Sequence, residues 1–182
     1  MVAHADDQLN KEGNAMNHDE DKIKDPVCGM MVDPKQLVVE YLQLHFAFCS
    51  EQCRERFLAN PGLYVGQPGQ MAPKQEGREV IKRRRIHFEE PLPTGTEKAL
   101  QESLYTMMGV KKVTVAGDGL EITYDLLQAT AKQIEGVIVT FGARLGEGWS
   151  DRLRRSWVYF EEEVLISGME VRSSGGHGGS CH

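Results

Sequence analysis

The chain has no apolar run long enough to span a bilayer. Its opening residues, MVAHADDQLNKEGNAMNHDED, lack the basic and apolar stretches of a secretion signal. Membrane insertion is therefore not expected, and a cytoplasmic setting is. No Ser/His/Asp set, phosphate-binding loop or paired-carboxylate motif emerges among the 182 residues, so the chain does not read as an enzyme. An excess of positive charge is also missing. The formal net charge is -6, which argues against a general nucleic-acid binder. The one basic run, Lys-Arg-Arg-Arg at 82–85, is short and reads as the solvated start of a strand. Cysteine occurs only four times. In a reducing compartment four thiols serve more readily as metal ligands than as two disulfides.

Three of those cysteines are concentrated in one stretch, DPVCGMMVDPKQLVVEYLQLHFAFCSEQCRERFLANPGLY, as Cys28, Cys49 and Cys53. Ser50 is a good N-cap for a helix running through Gln52-Cys53-Arg54-Glu55-Arg56-Phe57, so Cys49 precedes the cap and Cys53 points back toward it. A helix N-terminus favours the thiolate, the form that binds metal. Cys28 has to come from a separate element, and Val-Cys-Gly-Met, with a glycine for a tight turn, reads as a knuckle able to deliver it. Three thiolates suit Cu(I) in a trigonal site, or Zn(II) if a fourth ligand completes a tetrahedron. Candidates for a fourth position are His45, Met30, Met31, a water, or His177, Cys181 and His182 of a glycine-rich tail. A disulfide-forming redox pair at Cys49 and Cys53 is a third use of the same residues.

Five segments follow from composition. Residues 1–23 form a polar, acidic arm, with His4 and His18, that cannot bury enough surface to fold alone. Residues 24–65 form a first module: the knuckle, short strands at 37–41 and 44–48, and a helix stopped by Asn60-Pro61-Gly62. About forty residues are too few for a self-sufficient core, so an ion or a neighbouring domain must support it. Residues 66–79 read as a Pro/Gly/Gln linker. Residues 80–169 contain a strand within 80–88, a helix at 97–108, a hairpin of 111–115 with 120–124, a helix at 127–141 and a short strand at 143–145. This is the split βαβ order of a ferredoxin-like sandwich. A further helix from Ser150 carries Trp149, Leu153, Trp157, Phe160 and Val164 on one stripe. Its arginines 152, 154 and 155 come early and its glutamates 161–163 late, against the helix dipole, which is tolerable if they are exposed. Residues 170–182 close the chain as a flexible Gly/His/Cys tail.

The first module resembles the YHS domain, one of the TRASH-like metal-binding knuckles. The resemblance is carried by D-P-V-C-G-M from Asp25, F-C-S from Phe48, Cys53, Phe57 and N-P-G-L-Y from Asn60. The family's usual glycine near Gln43 and tyrosine near Phe46 are absent. The resemblance implies heavy-metal binding, with the metal ion as ligand and a copper-transporting P-type ATPase or another metal-handling protein as partner. The second module resembles a heavy-metal-associated domain through E-K-A-L from Glu97, G-V-K-K-V-T-V from Gly109 and I-T-Y-D from Ile122. Functional members of that family carry C-x-x-C before the first helix; Glu89 and Leu92 stand at those positions here, so the copy is degenerate. The expected fold class is α+β: a treble-clef-like knuckle with a short hairpin and helix, linked to a βαββαβ sandwich with an extra C-terminal helix. The expected function is heavy-metal binding in trafficking, storage or resistance, with Cu(I) favoured over Zn(II). The alternative is a zinc-stapled interaction or regulatory module whose ion is purely structural.

Overall fold

A computed structural model describes residues 22–93 and 95–171. The acidic arm up to residue 21 and the tail residues His177, Cys181 and His182 lie outside the described residues. In the front module β1 (Ile23–Lys24) pairs antiparallel with β2 (Met31–Val32), closing the knuckle between them. Gly29, at φ +83°, makes the turn that an L side chain would strain. The hairpin follows as β3 (Val39–Tyr41) and β4 (Leu44–Phe46). Its two turn residues, Leu42 and Gln43, both sit in the left-handed region at φ 52° and 63°. Helix α1 (Glu51–Ala59) is capped by Ser50, whose hydroxyl accepts the Cys53 amide, and a 3-10 turn, Pro61–Leu63, ends the module. Phe57 is its hub: the rings of Tyr41, Phe46, Phe48 and Tyr64 all lie within 5.9 Å of it, centroid to centroid.

The rest of the chain builds β5 (Ile81–His87), α2 (Thr96–Thr106), β6 (Val110–Ala116), β7 (Gly119–Asp125), α3 (Ala131–Thr140) and α4 (Trp149–Met169). The sheet order is β5-β7-β6 with both pairings antiparallel, so β5 and β6 run parallel on either side of β7. This is the split βαβ arrangement, and the fold is mixed α and β as the alternation of elements implies. Val113, Leu120, Ile122 and Tyr124 of the sheet pack with Leu100 and Leu104 of α2 and Ile134 and Ile138 of α3. The segment 143–145 does not form the closing strand. It contributes one backbone bond beside β5, from the Glu89 amide to the Arg144 carbonyl at 2.8 Å. Gly142, Gly146 and Gly148 around it make an ordered strand entropically costly.

Helix α4 lies along that side instead, and its charges meet partners. Glu162, almost wholly buried, accepts from the Tyr124 hydroxyl, from Arg84 and from the Ala131 amide. Glu161 meets Lys82 at 3.2 Å, and Arg155 donates to the Gly146 carbonyl. Exposure and facing other groups are the two ways such a charge order is tolerated, and for these three residues it is the second: tertiary partners meet them. The basic run is a strand with Lys82 and Arg84 so engaged. The apolar stripe of α4 faces solvent.

One hydrophobic core runs from Val27 and Phe48 through Cys53 and Tyr64 to Ile138. Polar bonds reinforce the junction. Gln52 of α1 donates to the carbonyls of Met108 and Gln128, Arg56 donates to the Leu126 carbonyl, and the Tyr64 hydroxyl donates to that of Leu127. The segment 66–79 is built from successive turns, with Ala72 fully buried and Lys74 paired to Asp125 at 3.2 Å. Beyond α4, Val171 returns to donate to the Gly62 carbonyl, at a close approach that a side chain at Gly62 would block.

Candidate metal centre

Asp25 organises the knuckle. It is fully buried, and its two carboxylate oxygens accept the amides of Val27 at 2.8 Å and Cys49 at 2.9 Å, with the Cys28 amide at 3.4 Å. Its carboxylate thus ties the loop that carries Cys28 to the residue that precedes α1. The Met30 carbonyl takes the Asp25 amide, and the Gly29 amide donates to the Asp25 carbonyl, which rounds off the loop. The helix cap then fixes Cys53 one turn in.

The result brings Cys28, Cys49 and Cys53 together. Their sulfurs stand 3.4 Å apart for Cys28 and Cys49 and 3.6 Å for Cys49 and Cys53, and with an Asp25 oxygen all lie within 4.8 Å of one another. Sulfurs bound about 2.3 Å from one ion lie roughly 3.8 Å apart in a tetrahedron. The observed spacing is close to that and far above a disulfide bond length, so the trio is a set of free thiols sized for an ion. Cys53 is fully buried, whereas Cys28 and Cys49 are part-exposed, so the cluster opens on their side. Beside it runs a cleft of 450 Å³ lined by Cys28, Lys24, Phe46, Tyr64 and Lys74 among others.

The thiols do not titrate alike. Cys28 falls from 9.0 to about 7, chiefly through the hydrogen bond from Cys53, with the Met30 amide adding and burial opposing. Burial pushes Cys49 up to about 11. Cys53 is held well above the ordinary thiol range by sharing its proton with Cys28, by burial and by the charge of Asp25. Without an ion the cluster therefore favours one thiolate, at Cys28, cradled by its neighbours. Binding a cation must displace the remaining protons.

His45 does not join the trio. Its side chain is 71% exposed, 3.9 Å from Glu40, on the opposite side of β4 from Phe46, which packs on Phe57. Met30 and Met31 are exposed, and Met30 reaches Cys28 through its backbone amide. His177, Cys181 and His182 lie outside the described residues. Among the described residues no histidine and no fourth cysteine belongs to the cluster. Asp25 was not foreseen as part of it, although an Asp-Pro two residues ahead of Val-Cys is the signature of a side chain that caps its own turn. In the second module Glu89 is paired with Arg144 at 3.5 Å and Leu92 is buried, so neither position offers a soft ligand.

Comparison with known proteins bears on the front module. A family model described as the YHS domain matches residues 23–68. No curated protein matches the chain. Among solved structures, oxidized MerP from Ralstonia metallidurans CH34 aligns at 12% identity and a TM-score of 0.34, covering 37% of this chain and 96% of that one. Residues 23–68, which match the YHS domain, hold all three clustered cysteines.

Proposed function

We propose that the chain is a heavy-metal-binding protein that takes Cu(I) in preference to Zn(II) at Cys28, Cys49 and Cys53 and works by binding alone, not by catalysis. The observation that carries this reading is the trio itself: three sulfurs at ion-binding spacing, two of them part-exposed, with the nearby carboxylate already engaged by backbone amides. Three thiolates and an open side suit trigonal Cu(I) and its exchange to another sulfur-rich site, whereas structural zinc is normally closed by four ligands. The role that fits is trafficking, storage or resistance in a reducing compartment such as the cytoplasm. The fitting partner is a copper-transporting P-type ATPase or another metal-handling protein. Titration with Cu(I) against a competing chelator tests it. The wild type should bind one ion per chain tightly and a Cys49→Ser/Cys53→Ser variant should not; equal stoichiometry and affinity would sink the reading.

A second reading rests on Asp25. If its carboxylate released a backbone amide and turned to the ion, Cys28, Cys49, Cys53 and Asp25 would close a tetrahedron around a structural Zn(II). Chelation separates the two. A structural ion should unfold the front module when stripped, and a carried one should leave with the fold kept.

A further inference from the structure

Helix α4 buries Glu162 and Ile166 and turns the opposite face outward, with Trp149 79% and Trp157 68% exposed and Leu153, Phe160 and Val164 exposed beside them. The rings of Trp157 and Phe160 pack against each other at 5.9 Å in the middle of the stripe. An apolar stripe of this kind on a soluble chain marks an interaction surface.

The flanking charges say what covers it. At 3.6 residues per turn, Arg154 and Glu161 lie along one margin of the stripe and Arg152 and Glu163 along the other. On each margin the arginine is in the first half of the helix and the glutamate in the second. Arg154 and Glu161 are equally far from the point between Trp157 and Val158, and Arg152 and Glu163 are equally far from that same point. A two-fold axis through that point, perpendicular to the plane of two antiparallel helices, sets each margin against itself with the direction reversed. Arg154 then faces Glu161 of the other copy, and Arg152 faces Glu163, on both sides of the dyad.

We propose that α4 is the interface of a symmetric homodimer, packed antiparallel against α4 of a second copy of this chain with Trp157 at its centre. The arrangement covers the stripe, sets the two helix dipoles head to tail, and gives the arginine-first, glutamate-last order a use that the helix's own dipole does not. A helix made to lie on an anionic membrane carries a basic polar face; here each margin holds one charge of each sign. Glu161 meets Lys82 of its own sheet yet remains half-exposed and available to a partner.

Analytical ultracentrifugation of the full chain in reductant tests the proposal. The wild type should sediment at twice the chain mass. R152E/R154E makes all four marginal charges negative and E161R/E163R makes all four positive. Each variant should lose self-association by about tenfold or more while far-UV circular dichroism stays unchanged, and an equimolar mixture of the two should regain the dimer. Trp157→Glu, at an exposed site that no core contact needs, should also sediment as the single chain. A wild type at the single-chain mass, variants that self-associate as the wild type does, or a mixture that stays monomeric would each overturn the proposal. A monomer that instead floats with phosphatidylcholine and phosphatidylserine vesicles would reassign the stripe to a membrane surface.

Discussion

Asp25 shows how a residue outside the obvious ligand set can shape a candidate metal centre. Its carboxylate holds the Val27 and Cys49 amides together, and those amides place two of the three sulfurs. Asp25→Asn keeps the shape but replaces one accepting oxygen by a donor. The ion-free protein should lose about 1–3 kcal/mol in a denaturant melt, the cost of an unsatisfied buried group, and Cu(I) affinity should fall with it. The cysteines were legible because their spacing around a Ser cap states a geometry. Asp25 was not, because its role runs through backbone amides that only folding brings near. The thiols also set a pH dependence. Cys28, at about 7, is part-ionised at neutrality, while Cys49, at about 11, and Cys53, higher still, keep their protons. Loading one ion near pH 7 should therefore release roughly two to three protons, and affinity should rise with pH and weaken on acidification. Calorimetry in two buffers of different ionisation enthalpy reads that number directly; a release of one proton or none would mean that the sulfurs are not all ligands.

At the scale of elements, the β3–β4 hairpin departs from the usual sequence at a measurable cost. Leu42 and Gln43 both adopt the left-handed conformation that glycine or asparagine normally supplies in a two-residue turn. Each such L residue costs roughly 1–2 kcal/mol. Gln43→Gly should accordingly stabilise the chain by about 1 kcal/mol, read as a higher melting temperature with metal binding unchanged; a lower melting temperature would mean that Gln43 makes contacts worth more than the strain. Helix boundaries were legible where a cap is spelled out. Ser50 starts α1 as its sequence says. The start expected at 127 for α3 moved to Ala131, because Thr130 and Gln133 form a capping box and Leu126, Leu127 and Ala129 are needed in a buried turn under α1. The α4 stripe illustrates a limit of periodicity. A repeat of apolar residues identifies a helix face but not which face the fold buries, and here Glu162, with three partners, and Ile166 take the interior while five apolar side chains stay outside.

For the molecule as a whole, the front module has packing support that needs no ion. Its core is continuous with that of the sheet, Gln52, Arg56 and Tyr64 anchor it to neighbouring elements, and the adjoining segment is tied to β7 through Lys74 and Asp125. Stripping the metal should therefore leave one cooperative unfolding transition, shifted to lower temperature by the lost binding energy; a separate early transition confined to residues 23–68 would favour the structural-zinc reading. This interdependence was not visible in a segment that reads as a linker, since turn-rich composition at 66–79 marks a loop without saying what it packs on. X-ray absorption at the copper edge of the Cu(I)-loaded full chain reads the atoms around the ion. The wild type should hold one copper per chain with three sulfur neighbours at about 2.3 Å, and the Cys49→Ser/Cys53→Ser variant should retain no copper with that shell. A first shell dominated by nitrogen or oxygen, or a spectrum unchanged by that substitution, would contradict the three-sulfur site.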